Sequence, residues 1–253
     1  MNLKGGTGKT VTAINTGAIL ANDHDQTVLL IDADSQANLT EFVNRAPADR
    51  MVIGGMTDLL KGLDAHPAPS KIPGVWLLPA DEKLMALDVT SAGNGQADPM
   101  ALAEFLDTAG SDISTDWCII DCPPAFNAAA MAALIAADEV VIPVKLDAFG
   151  IRGLSKILEQ IRNMRKINPG LEIAGVLPTM FYDTPEQRKA LSKLQNSLKA
   201  AGIHCFYPIH RSVMVDDSTF AEEPLIKSSP RSKACQCYRR FVKELLAMEG
   251  GEQ

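Results

Sequence analysis

The 253-residue chain is 46% hydrophobic, 22% charged and 5% aromatic, with a formal net charge of −7. That composition suits one globular domain with a substantial core and, as an average, argues against a nucleic-acid binder. Five cysteines, odd in number and irregular in spacing, argue against a disulfide framework. No apolar run approaches the roughly 20 residues of a membrane span, and glycines and a lysine occupy the place of a signal sequence's apolar stretch, so a soluble, cytoplasmic protein is predicted.

The chain opens on Met1-Asn2-Leu3-Lys4-Gly5-Gly6-Thr7-Gly8-Lys9-Thr10, followed by a helical pattern over 10–22. Short apolar runs then recur at 28–31, 75–78, 117–120, 140–144 and 173–177, with a weaker one at 205–207. Continuous apolar character without alternation predicts parallel strands covered on both faces. Residues 62–74 and 91–99, rich in Gly, Pro, Ser and Asn, read as loops. Leu154, Ile157, Leu158, Ile161 and Met164 form a core-facing stripe on another helix, and 185–201 and 231–248 are helical as well. Alternating strands and helices predict an α/β, three-layer, doubly wound, mostly parallel sheet in a single domain over 1–253.

The opening loop carries the second half of a phosphate loop. Gly8-Lys9-Thr10 matches G-K-[ST], but Leu3 stands where the first glycine belongs, and Lys4-Gly5-Gly6 follow it. Glycines allow the close backbone approach that lets N–H groups and a helix start cradle phosphate oxygens. Lys9 would reach the β- and γ-phosphates and Thr10 would ligate Mg²⁺. Two apolar runs end in carboxylates, Asp32 and Asp34 after 28–31 and Asp121 after 117–120. Ligands of open parallel sheets sit at the carboxyl ends of strands, so these three residues are candidates to face the nucleotide and its metal; a turn or cap is the plainer role for any one of them.

The stretches Lys4–Thr10, Asp32-Ala33-Asp34-Ser35-Gln36-Ala37-Asn38-Leu39-Thr40 and Asp121-Cys122-Pro123-Pro124 resemble the deviant Walker ATPases of the ParA/MinD group, and within it the chromosome- and plasmid-partitioning ParA branch. The likeness continues through Ile142-Pro143-Val144, Gly153-Leu154, Pro178-Thr179-Met180, Pro208 with Arg211, and the last helix around Tyr238. It implies a P-loop ATPase whose two protomers sandwich two ATP molecules. Lys4 would reach the partner's phosphates. Gly5, Gly6, Thr7, Gly8, Lys9, Thr10 and Val11 would bind the nucleotide in cis. Asp34 would orient the attacking water, Asp32 would support metal and switch geometry, and Asp121 would hold Mg²⁺ through water. The adenine would lie near Thr179, Met180 and the loop after Pro208. It also implies slow hydrolysis stimulated by a ParB-like partner, and non-specific binding of double-stranded DNA by the ATP-bound dimer, hence association with the nucleoid.

Three departures stand out. The family's longer first strand is replaced by Met1-Asn2-Leu3 alone, which predicts a slot with unpaired neighbouring backbone and an upstream segment. Ser35 replaces a proline and Val11 a threonine, neither of which removes a phosphate contact.

Charge is unevenly distributed. Residues 186–243 hold 11 Lys/Arg against 5 Asp/Glu, a surplus of six positive charges in an acidic protein. Arg211, Lys227, Arg231, Lys233, Arg239 and Arg240 are candidate contacts to DNA phosphates, with solvated helix faces and intrachain ion pairs as the alternative. The acidic, glycine-rich end at 248–253 disfavours a membrane-binding amphipathic helix. Other readings of the scaffold are positioning of a protein complex, control of replication, an ATP-dependent ligase and, with cysteines in the wrong context, a reductase. Four scattered histidines and Cys235-Gln-Cys237 carry no metal spacing.

Overall fold

The computed structural model describes residues 1–44, 54–90 and 97–250. In chain order its elements are α1 (Lys9–His24), β1 (Val28–Asp32), α2 (Asn38–Val43), α3 (Met56–Leu59), β2 (Ala68–Pro69), β3 (Val75–Leu78), α4 (Leu84–Thr90), α5 (Ala101–Ile113), β4 (Trp117–Asp121), α6 (Ala128–Ala136), β5 (Glu139–Lys145), α7 (Ala148–Met164), β6 (Glu172–Thr179), α8 (Pro185–Ala200), α9 (Val213–Phe220), α10 (Leu225–Ser228) and α11 (Lys233–Glu249). The α/β class is the one the sequence predicts. The strands fall into two compact units: residues 1–19 with 138–250, and 20–137, the division lying within α1.

In the unit built from 20–137 the sheet order is β2-β3-β1-β4, with β1 parallel to β3 and β4, and β2 antiparallel to β3. β1 is central and all five of its residues are buried, which is why its sequence is continuously apolar rather than alternating. Leu29, Ile31 and Leu78 pack with Leu102, Phe105, Ala129 and Ala132 of α5 and α6. The segment 62–74 is not wholly irregular, since it contributes the two-residue β2. A proline is tolerated there because an edge strand does not need every N–H. Of the loop predicted at 91–99, residues 91–96 lie outside the described residues.

In the other unit β5 and β6 pair in parallel. The weak run at 205–207 makes no strand but continues this ladder through bridges at Cys205 and His210. α8 starts cleanly because Pro185 suits its first turn and the Thr184 hydroxyl caps Gln187 N–H. α11 is capped by Ser232 and buries Ala234, Cys235, Cys237, Tyr238, Phe241, Val242 and Leu245. Spaced three and four apart, these make one apolar face. Phe241 packs edge-on against Phe206 with ring centres 4.8 Å apart. Two polar contacts join α1 to the C-terminal quarter: the Thr12 and Tyr238 hydroxyls meet at 3.4 Å, and Asn15 Oδ1 accepts the Leu225 N–H at 2.9 Å.

Residues 1–3 form no strand, yet they lie along β5. Met1 N donates to Val141 O and Asn2 Nδ2 to Pro143 O, each at 2.6 Å. Two β5 carbonyls therefore have donors from residues 1 and 2.

Gly175, opposite Val141 in the β5–β6 register, lies against the Phe206 ring. A Cβ there would stand 2.7 Å from the Phe206 ring and 2.8 Å from His204 O. Gly175→Ala should destabilise the fold by about 1–3 kcal/mol through overpacking. Urea unfolding monitored by circular dichroism checks this, and a lower midpoint is expected.

Candidate functional site

The phosphate loop lies in the unit that holds β5 and β6. Gly6 and Gly8 adopt φ of 68° and 82°, a region open to glycine and costly for other residues. A Cβ at Gly5, Gly6 or Gly8 would meet nothing within 4 Å, so the glycines here answer to backbone conformation and to space kept open above the loop. The loop is held from behind. Buried Thr179 Oγ1 donates to Thr7 O at 2.9 Å, Asn2 Oδ1 accepts the Lys4 N–H at 2.9 Å, and Gly8 O accepts Thr12 N–H at 2.9 Å as α1 begins. Lys9 and Thr10 form the first turn of α1, whose free N–H groups and dipole favour an anion, and Val11 follows them in that turn.

Lys4 points its ammonium at Asp147, 3.1 Å from Oδ2 and 3.3 Å from Oδ1. Lys145 Nζ is 3.9 Å from the same carboxylate, and Gly150 N–H donates to Oδ1 at 2.7 Å. Partial burial opposes ionisation of Asp147, but the Gly150 N–H and Lys4 outweigh it and hold the carboxyl below its usual range.

Of the adenine candidates, Thr179 spends its hydroxyl on the loop. Met180 follows in a left-handed conformation, φ 52°. Bonds from Ile209 N to Pro178 O and from Phe181 N to Ile209 O bring buried Pro208 to the same end of β6.

The carboxylates lie in the other unit, where β1 and β4 end in register at Asp32 and Asp121. Asp32 is fully buried and its oxygens are engaged. Oδ1 accepts Asp34 N–H at 3.0 Å, and Oδ2 accepts the Thr40 N–H at 2.9 Å and its hydroxyl at 2.8 Å. Thr40 Oγ1 in turn accepts Ala80 N–H at 3.0 Å. Burial pushes the Asp32 carboxyl up to about 6, against the lowering pull of Thr40 and the Asp34 N–H. Asp34 is partly exposed and makes a tight turn with Gln36 N–H. Ala37 completes that turn with φ 53°, a conformation that costs a non-glycine residue about 1–2 kcal/mol.

The donor set suits Mg²⁺. The Thr10 hydroxyl in one unit and the Asp121 carboxylate in the other are each a hard oxygen donor of the kind Mg²⁺ takes, one or two from protein with phosphate and water completing its shell. Among the described residues no group of three or more His, Cys, Asp or Glu could enclose a metal by itself.

The basic candidates sort by what they touch. Arg211 forms a two-pronged pair with Asp216 and, chiefly through that hydrogen bond, holds the Asp216 carboxyl below its usual range. Lys227 pairs with Glu223 at 2.6 Å. Arg239 donates to Pro230 O at 2.8 Å. Arg240 pairs with Glu244 at 3.0 Å and lies 3.8 Å above the Tyr207 ring. Arg231 and Lys233 are exposed at the start of α11. Sequence reasoning assigned no role to Thr40 or Asp147; Thr40 joins Asp32, eight residues before it, to Ala80, forty after it, and Asp147 meets Lys4, 143 residues away. Among the described residues no helix is long and apolar enough to cross a membrane.

Residues 1–173 match the AAA_31 family, described as an AAA domain. The chain is 30% identical to the chromosome partitioning protein ParA of Caulobacter vibrioides, over 100% of this chain and 94% of that protein. It is 32% identical to the chromosome-partitioning ATPase Soj of Thermus thermophilus, over 97% and 93%. Its fold matches the structure of a Mycobacterium smegmatis protein described as cobyrinic acid a,c-diamide synthase, with bound ATP analogue and magnesium, at TM-score 0.80 and 27% identity over 100% and 95% of the two chains. With its two-lysine loop and its paired strand-end carboxylates, this chain belongs to the ParA family of P-loop ATPases.

Proposed function

We propose that this chain is an ATP-operated switch for partitioning DNA in the cytoplasm. Two copies close around two ATP molecules, the closed pair binds double-stranded DNA without sequence preference, and a ParB-like partner speeds a slow hydrolysis that reopens it. The observation that carries this reading is the loop itself: an open glycine cradle with one lysine at the helix start and a second, Lys4, on its outer flank. A single-chain catalyst needs only the first. The partitioning roles named for the relatives support the DNA cargo.

In this reading the loop N–H groups from Gly5 to Thr10, with Lys9, neutralise the phosphates, which is most of what phosphoryl transfer asks of a protein. Thr10 and, through water, Asp121 would hold Mg²⁺, which would supply charge neutralisation at the phosphate oxygens. Asp34, partly exposed on its turn, orients the attacking water. Asp32 is a strut: it ties the Asp34 turn to the first turn of α2 through Thr40. Thr179 buttresses the loop, while Met180 and Pro208 flank the base. Arg231 and Lys233 are the best placed of the basic residues to meet DNA phosphates; Arg211, Lys227, Arg239 and Arg240 would first have to leave internal partners. A metabolic ligase is the second reading, favoured by the synthase description of one structural relative. A substrate-dependent, rapid turnover would select it.

Lys9→Ala should lower ATP affinity by roughly 10- to 100-fold, the loss of one or two charge-assisted bonds. Lys4→Ala should leave that affinity intact and abolish ATP-dependent dimerisation. Calorimetry and sedimentation separate the two, and a Lys4→Ala chain that dimerises normally would remove the trans role.

A random-sequence duplex should be retarded with ATP but not with ADP at moderate salt. Arg231→Ala/Lys233→Ala should weaken that shift uniformly across sequences and flatten its salt dependence. Equal retardation in both nucleotides would sink the switch.

Asp32 gives a pH signature. Its carboxyl is raised in the fold, so its contribution to stability is fully present below about pH 4 and is lost as pH rises through about 6. Asp32→Asn does not titrate. The melting temperature of Asp32→Asn relative to the natural chain should therefore climb between pH 5 and pH 7.5, whatever its starting offset, in thermal scans of the single chain.

A further inference from the structure

Lys4, which the proposed function sends to a partner's phosphates, already has an anion in its own chain. Both oxygens of Asp147 lie within 3.3 Å of its ammonium. Asp147 stands at the entrance to α7: its carbonyl accepts Ile151 N–H and its Oδ1 accepts Gly150 N–H. Lys145 Nζ approaches the same carboxylate at 3.9 Å. The carboxylate is thus shared between two lysines and a helix start. If Lys4 swings away, Lys145 and the Gly150 N–H still face it, so the departure strands no charge. The pair is also open to water, with the Lys4 and Asp147 side chains 42% and 30% exposed. Such pairs are weak and reversible, as a catch that must release requires.

We propose that Asp147 is a positioning residue that holds Lys4 in cis in the single protomer, so that ATP-dependent pairing of two copies must compete with this contact. The inference rests on the trans role given to Lys4. An exposed ion pair shifts an equilibrium by roughly two- to fivefold. Each dimer gives up two such pairs, so the effect multiplies to roughly four- to twenty-five-fold in the dimerisation constant.

Asp147→Asn tests this cleanly, because the amide oxygen can still accept Gly150 N–H and start α7; Asp147→Ser, another good cap, guards against a fault peculiar to one variant. Two readouts apply. The first is the rate at which a water-soluble acylating reagent modifies Lys4 in the single chain, measured by mass spectrometry of the Lys4 peptide. The second is the protein concentration at the midpoint of dimerisation in a slowly hydrolysed ATP analogue with Mg²⁺, measured by sedimentation. Both variants should acylate Lys4 roughly two- to fivefold faster and dimerise at roughly four- to twenty-five-fold lower concentration, with the melting temperature of the single chain lowered by no more than about 4 °C. Lys4→Ala/Asp147→Asn should dimerise no better than Lys4→Ala. If the natural chain dimerises but neither variant moves the midpoint, or if the double variant still gains, the catch is refuted while the switch stands. A natural chain that stays single at every analogue concentration overturns the switch and the catch together.

Discussion

A loop that offers its N–H groups to an anion cannot spend them on itself. The contacts that hold Thr7 and Gly8 fit that constraint. The loop is fixed chiefly through its oxygens, Thr7 O by Thr179 and Gly8 O by Thr12, while Asn2 secures its entrance. Gly6 and Gly8 take the left-handed dihedral angles found in anion-binding turns. In the proposed reading, a loop held this way is preorganised, so that little reorganisation is needed on binding.

The second unit solves the complementary problem of placing negative charge without wasting it. A buried carboxylate is expensive unless its lone pairs are met. Asp32 meets the cost with three donors from a single short segment. A six-residue helix without a side-chain cap of its own, α2, thereby gains a carboxylate at its first turn, and the partly exposed Asp34 is held on a defined turn. The left-handed Ala37 is the local cost of that geometry, and strain of this kind gathers where function over-determines the backbone.

How much of this was legible in the sequence depended on the range of the interaction. Parallel strands announce themselves by continuous apolar runs, and β1, β3 and β4 begin where those runs begin; β1 and most of β3 are buried as expected, whereas in β4 Cys118 is exposed and only Asp121 is buried. α6 did not announce itself, since Ala128–Ala136 is apolar on every side and shows no period. α9 has no apolar stripe, and α2 is too short to carry one. The phosphate loop and the strand-end aspartates were visible because their chemistry is written in local spacing. Asp147 was not: its meaning comes from Lys4, 143 residues away, and no local pattern marks it. Counting basic residues found the charged quarter but could not show that Arg211, Lys227 and Arg240 already face acids of their own chain.

The joints between α1 and the C-terminal quarter have a mechanical meaning. Thr12 meets Tyr238, and one turn further along Asn15 holds Leu225. The Tyr238 phenol, pushed up to about 12 chiefly by burial, keeps its proton across the physiological range, so that joint does not depend on acidity. The first two turns of α1 are thus pinned to the C-terminal quarter at two levels, side chain to side chain at Tyr238 and side chain to backbone at Leu225, and sliding of that end of the helix along its axis would cost both bonds at once.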